Sequence, residues 1–336
     1  GDYRITFDRA LVEIGWEEKR KLAGRLIDGK YHGLAVGPYM EGGAAGPAEN
    51  ARVVLRSDGS VEVYVGSSGV GQGLETVFAQ IVADALQVNI NRIAAVFHGS
   101  TGYVKLGFGT SGSRSVVMGG TALLDAAENL KQAIRKLAAE QFGCDYEEVE
   151  ITDEMRTVSA RGGFRTLPEL IPEKIEAEGT FTNERRTYSY GTHAAHVTVD
   201  PATGHVQVVD YVAVEDVGRI INPGTLHGQV MGAIVQGLGA TLLEHLVYDD
   251  DGQLLTGSLA SYLVPAAGDF PNIRALSLEM YPSPINPLGA KGAGEGGIIP
   301  VGGVIANAVA SALSSLGVRT NELPLSPDRV WTLING

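Results

Sequence analysis

A single cysteine, Cys144, occurs in 336 residues, so neither an internal disulfide nor a cysteine-ligated iron–sulfur cluster can be built from this chain. Cys144 stands among acids in QFGCDYEEVE, a poor setting for a thiolate nucleophile. Basic residues are also scarce. With 26 Lys and Arg against 39 Asp and Glu, the net charge of −13 argues against a nucleic-acid footprint and a polybasic membrane contact. No apolar run is long enough to span a bilayer. GDYRITFDRALVEIGW lacks the basic start and apolar core of a signal peptide, so a reducing cytoplasmic setting and a small-molecule substrate are expected. Because the chain begins on Gly rather than Met, it is expected to have been processed, trimmed or cut from something longer.

Familiar nucleotide signatures are missing as well. GSSGVGQG has no acidic ribose partner in a βαβ unit, and no glycine loop ends in Gly-Lys-Ser/Thr. Ser111 in GTSGS has Ser113 where a nucleophile elbow needs its second glycine.

What the chain does have is glycine, 45 residues of it, clustered between apolar segments. The patterning predicts an amphipathic lead-in helix over residues 9–28 and a hairpin turned at Asp58-Gly59. It then predicts a helix over 74–86, the strand RIAAVFH, and a helix over 116–142. Pro168 to Glu178 reads as a connector. A second hairpin turned at residues 201–204 follows, then a helix over 224–245 and another hairpin at 250–252. The strand RALSLEMY and a helix over 304–316 close the pattern. Each half reads strand pair, helix, strand, glycine loop, helix. The predicted fold is therefore α+β, with two similar subdomains of antiparallel hairpins packed with helices, a pseudo-repeat. The expected division is 1–30 lead-in, 31–167 first subdomain, 168–178 connector and 179–336 second subdomain.

Four glycine-rich junctions abut predicted helices: residues 69–73 with Gly71, Gln72 and Gly73; residues 109–115 with Thr110, Ser111, Gly112, Ser113, Arg114 and Ser115; His227-Gly228-Gln229; and GAKGAGEGG at 289–297. Glycine admits close approach of backbone to a ligand, and exposed N–H groups at a helix start favour anions. Hydroxyls, amides and the planar Arg114 cation suit a large, polar, anionic ligand. Ordinary turns and helix ends would use the same glycines. Glu295, alone among glycines, is a usable base or ligand, and an ion pair with Lys291 four residues earlier remains an equal reading. His193 and His196, three apart on a predicted strand, face opposite sides and would not share a metal.

GVGQGLETVFAQIVADAL, GTSGSRSVVMGGTALLDAAENLK, EDVGRIINPGTLHGQVMGAIVQGLGATLLE and KGAGEGGIIPVGGVIANAVASAL resemble, in this order, motifs of the molybdenum hydroxylases. That family comprises xanthine dehydrogenase, aldehyde oxidase and aerobic carbon monoxide dehydrogenase. The resemblance runs from about Tyr31 to Trp331, covers the second half of the family's molybdopterin-binding subunit, and fits either a naturally split subunit or a C-terminal fragment. It implies that Gly71, Gln72 and Gly73 approach a molybdopterin carrying molybdenum. It implies too that Thr110, Ser111, Gly112, Ser113, Arg114 and Ser115 hold the rest of the cofactor, in cytosine dinucleotide form, and that Gln229 bonds the pterin. Glu295 matches the catalytic general base for hydroxylating an electron-poor carbon, in an N-heterocycle or aldehyde, with water as oxygen source. Gly296-Gly297 depart from residues seen in other branches, which leaves the substrate open. The implied partners are the other half of the molybdopterin subunit, a 2Fe-2S iron–sulfur subunit and an FAD subunit. The alternative is a non-catalytic scaffold fragment, inactive without its partner half.

Overall fold

The computed structural model describes residues 1–44, 46–270 and 272–336. The chain opens with α1 (Tyr3–Ile14), α2 (Trp16–Lys19), β1 (Leu26–Ile27) and β2 (Lys30–Gly43). It continues with β3 (Gly46–Arg56), β4 (Val61–Val65), α3 (Leu74–Leu86), β5 (Ile93–His98) and α4 (Gly120–Phe142), the last entered through a π turn at Ser115–Gly119. A small meander of β6 (Glu150–Thr152), β7 (Thr157–Ala160) and β8 (Gly163–Thr166) leads to α5 (Leu167–Leu170) and β9 (Lys174–Asn183). Then come β10 (Thr187–Val199), β11 (Val206–Asp216), α6 (Pro223–Leu242), β12 (Ile273–Leu278), α7 (Val301–Ala312) and α8 (Pro327–Asn335).

The architecture is α+β, and the pseudo-repeat is visible in the strand order. One sheet runs β5-β4-β3-β9 and the other β1-β2-β10-β11-β12. In each, an antiparallel hairpin (β3–β4, β10–β11) is followed by a crossover helix and a parallel strand (β4–β5, β11–β12). The fourth strand is contributed across the repeat. Strand β2 pairs with β10, and β9 pairs with β3. Residues 31–43 therefore belong by hydrogen bonding to the sheet of the second half. The end of the expected connector, residues 174–178, is strand, because Lys174, Glu176 and Glu178 alternate with the inward-leaning Ile175 and Ala177.

Local chemistry explains the shifted boundaries. The Asp2 side chain accepts from Arg4 N and starts α1 before residue 9, while Gly15 at φ 71 ends it. Asp58-Gly59 turns as expected, with Asp58 accepting from Ser60 N and Gly59 at φ 87. The hairpin expected at 250–252 keeps its turn but only one bridge, Tyr248 to Leu254. Strand β12 stops at Leu278 because the Asp216 carboxylate takes the N–H groups of Met280 and Tyr281.

Each sheet has its own core. Val53, Leu55, Val61 and Val63 meet Phe78, Ile81 and Leu123, Leu130 and Ile134 from α3 and α4. Val197, Tyr211 and Ala213 meet Ile234 and Leu238 of α6 and Val304 and Ile305 of α7. The opposite face of the second sheet is covered by Ala10 and Ile14 of α1, so β10 is buried on both sides along nearly its whole length, its Thr, Ser and His residues included.

Equivalent glycines let the second helix of each unit lie on the exchanged strand. A Cβ at Gly179 of β9 would meet Ala126 N at 2.2 Å, and one at Gly33 of β2 would meet Ala308 O at 2.0 Å. Alanine at either position is expected to destabilise the fold by about 1–3 kcal/mol through overpacking, measured as a lower urea midpoint.

Candidate functional site

Four loops leave the carboxyl ends of β4, β5, β11 and β12, and they converge. Equivalent loops from the two repeats line one cleft of about 350 Å³, with Gln72, Thr110, Ser113, Asn222, Gln229 and Glu295 among its walls. The helix starts also meet: a Cβ at Gly73, the residue before α3, would stand 2.8 Å from Thr225 in the first turn of α6. Asn222 caps α6 by accepting from Thr225 N and donates to Gln80 of α3. Helix α3 has no side-chain cap from Gly73, and in its first turn the Glu75 carboxylate takes its own N–H, so the N–H groups beside it are the ones left for a ligand.

The expected residues fall into two groups. Gln72, Thr110, Ser111, Gly112, Ser113, Arg114, Ser115, Gln229 and Glu295 line the cleft; Gly71 and Gly73 shape the loop beside it at φ 107 and 79. Gln72 bridges the loops of the first unit, accepting from Val70 N and donating to Thr110 Oγ1 at 2.8 Å. The Gln229 amide makes no side-chain hydrogen bond among the described residues and is half-exposed. Ser111 and Gly112 are exposed. Arg114 differs from the expectation of a free cation. It is 3% exposed, and its guanidinium donates to Glu49 at 2.7 Å and faces the Ala48 carbonyl. Burial forces that pairing, since an unpartnered cation there would cost several kcal/mol. The exposed cation on the cleft is Arg219, which sequence reasoning passed over although EDVGRIINPG contains it.

Lys291 does not pair with Glu295. Its ammonium, 8% exposed, lies 2.6 Å from Asp216 and over the Tyr190 ring. Asp216 also accepts from the N–H groups of Gly218, Met280 and Tyr281, so one buried carboxylate ties together the two loops of the second unit. Glu295 is instead held by Ser113, whose hydroxyl donates to its Oε2 at 2.7 Å and accepts from its own N–H at 3.1 Å. Ser113 sits in the left-handed region at φ 53, a conformation costing about 1–3 kcal/mol in a non-glycine residue.

The glycines of GAKGAGEGG fit the loop to protein as much as to open space. A Cβ at Gly292 would meet Ser113 O at 2.6 Å, and one at Gly297 would meet the Val230 carbonyl of α6 at 2.7 Å. One at Gly296 would strike the Tyr39 hydroxyl at 2.7 Å, where it donates to Glu215. Glu215 is fully buried, and that burial pushes its pKa up to about 7. Its signal in the sequence was a charged pair, Glu215-Asp216, ending an apolar strand. His193 and His196 take separate partners, Tyr211 and His32.

The chain belongs to the molybdopterin cofactor-binding domain family, whose model matches residues 9–271. Among its relatives is the 6-hydroxypseudooxynicotine dehydrogenase complex subunit gamma of Paenarthrobacter nicotinovorans, 35% identical over 350 residues. The alignment covers 100% of this chain and 44% of that protein. Among solved structures, quinoline 2-oxidoreductase from Pseudomonas putida 86 superposes with a TM-score of 0.86 and 32% identity, covering 100% of this chain and 46% of that one. The Cu,Mo-CO dehydrogenase superposes at 0.87 with 26% identity, covering 99% and 45%. The chain thus spans less than half the length of these relatives. Among the described residues no helix is long and apolar enough to cross a membrane.

Molybdopterin is a large, flat, anionic group, and the cleft fits it on three counts. Among the described residues no side chain caps the N-terminus of α3 from the N-cap position and none bonds the Gln229 amide, and a Cβ at Gly71 would find open space.

Asp216→Ala would leave the Lys291 ammonium buried and three N–H groups orphaned; a loss of about 3–5 kcal/mol in denaturant titration is expected. Glu215 supplies a pH test. Its folded pKa of about 7 lies above the ordinary 4.5, so the folded chain holds the proton more tightly than the unfolded one. The associated stability is full below 4.5 and is lost as pH rises to about 7. Glu215→Gln cannot ionise, and is expected to flatten that decline and to exceed wild type above pH 7 by up to about 3 kcal/mol in unfolding titrations.

Proposed function

We propose that this chain is the second half of a molybdopterin-binding subunit and forms the base-bearing wall of a molybdenum hydroxylase. The observation that carries the reading is the convergence of the two units' equivalent loops on one cleft with Glu295 fixed by Ser113. The two sheets with their own cores are the two subdomains, each lending a helix start and a glycine loop. The free N–H groups opening α3, with Gly71, Gln72 and Gly73, would hold the pterin from one side, and the Gln229 amide from the other. Thr110, Ser111, Gly112, Ser113 and Ser115 would cradle the remaining phosphate-bearing part, in cytosine dinucleotide form, with Arg114 bracing the loop through Glu49 and Arg219 supplying the exposed cation. When bound, the cofactor supplies two-electron redox chemistry and oxygen transfer at molybdenum.

The chain's own contribution is a proton site and its alignment. Glu295 Oε1, the oxygen that Ser113 leaves open, would take the proton released as water-derived oxygen is delivered to an electron-poor carbon of an N-heterocycle or aldehyde. Lys291 and Asp216 hold the loop that carries it. One cysteine cannot assemble 2Fe-2S clusters, so these and FAD would reside on partner subunits, and the other half of the molybdopterin subunit would close the pocket. The setting proposed is cytoplasmic. Because the chain spans under half the length of its relatives, it would be inactive without that half.

In the assembled enzyme Glu295→Gln is expected to lower turnover by about 100- to 10,000-fold, the usual contribution of a positioned base. Molybdenum and pterin content per complex should remain unchanged. Near wild-type turnover in that variant would sink the assignment.

A further inference from the structure

We propose that Glu41 is the proton partner of Glu295, the two carboxyl groups sharing one proton through the hydroxyl of Ser113, with Glu41 as the acid and Glu295 as the anion. The proposal rests on the reading of Glu295 as the base and adds a positioning residue that acts through Ser113.

The geometry carries it by counting donors. A serine hydroxyl has one hydrogen to donate and two lone pairs with which to accept. Ser113 Oγ makes three contacts: Glu295 Oε2 at 2.7 Å, the Glu295 N–H at 3.1 Å and Glu41 Oε1 at 3.2 Å. The single hydrogen goes to the shortest contact, the Glu295 carboxylate. The N–H occupies one lone pair. The contact to Glu41 is then a hydrogen bond only if Glu41 donates, which requires a carboxylic acid. Glu41 Oε2 faces Ser189 Oγ at 3.4 Å, an acceptor role that the acid keeps.

The surroundings agree. Glu41 is half-buried, whereas Glu295 is exposed, so water stabilises the charge better on Glu295. From its own sheet Glu41 faces Tyr39 and Glu215, and from the loop before α7 it faces Glu295. Among the described residues no cation lies with these. Arg186 and Tyr188 stand against Gly42, on the other face of β2, and Lys291 is paired with Asp216. Burial, the neighbouring Glu295 charge and the contact with its carboxyl raise the Glu41 pKa and prevail over the Ser113 and Ser189 hydroxyls, which lower it. Movement of the proton balances simply. Glu41 gives its proton to Ser113 Oγ as Ser113 passes its own to Glu295; the hydroxyl is unchanged and the negative charge moves from Glu295 to Glu41. The pair thus carries one charge rather than two.

The test is carbon-detected NMR of the full chain labelled at glutamate Cδ, with Glu41→Gln, Glu215→Gln and Glu295→Gln to assign the resonances. Glu41 is expected to titrate above the ordinary glutamate value of about 4.3, and to titrate lower when Glu295→Gln removes the neighbouring charge. A Glu41 that titrates at or below about 4.3, or ignores Glu295→Gln, overturns the proposal and leaves the base role of Glu295 standing. In the assembled enzyme, kcat is expected to fall in Glu41→Ala with KM little changed and the acid limb of the pH profile shifted. Glu41→Gln, whose amide can donate to Ser113 but has no proton to pass on, should recover the plateau kcat while keeping the shifted acid limb. An acid limb in Glu41→Gln identical to that of the wild type would count against the proposal. An active Glu295→Gln enzyme would sink the base role while leaving the NMR result intact.

Discussion

The close approach of two glycine loops around Ser113 is the contact on which the site depends. Ser113 stands in a left-handed conformation with Gly43, Gly292 and Gly294 packed around it. A methyl group at Gly292 would overlap the Ser113 carbonyl. Only bare backbone on one side, and a strained serine on the other, bring a hydroxyl from the first unit within reach of a carboxylate from the second. The Lys291–Asp216 pair holds one loop in this position and the Arg114–Glu49 pair holds the other. Both pairs are nearly free of solvent, where a missing partner would leave a costly unpaired charge.

Exchange of the outer strands places the two loops together. Strand β2 leaves the second sheet and runs directly towards β3 of the first; β9 leaves the first and runs towards β10 of the second. Each unit is closed by a strand that feeds the other, so the carboxyl ends of both parallel pairs meet across one seam. The same strand β2 carries Tyr39 and Glu41, which puts the sheet's polar residues directly under the loop of Glu295. Gly191 on β10 completes this arrangement: its missing side chain lets Tyr39 reach across to Glu215.

The hairpins, α3, the glycine junctions and Glu295 were legible from residue patterning, because apolar periodicity and turn chemistry are local. The alternation of β9 was legible too, but two prolines and a run of charges made it resemble a connector. The partners were not legible. Lys291 could have joined Glu295 by spacing alone; it is Asp216, 75 residues away, that stands within reach. Arg114 read as a ligand for phosphate because its neighbours are glycine and serine. It is Glu49, on a strand far earlier in the chain, that turns it inward.

By itself the sequence determined the α+β class, the repeat, the four glycine junctions, the isolation of Glu295 and the absence of a cysteine-ligated cluster from this chain, since these follow from composition, periodicity and one cysteine. Tertiary structure alone decided which charges pair, which glycines serve packing, and that Tyr39, Glu41 and Glu215 lie beneath the loop of Glu295. Those outcomes depend on strand register and exchange between the two sheets, which bring residues up to 182 positions apart within hydrogen-bonding distance around Ser113.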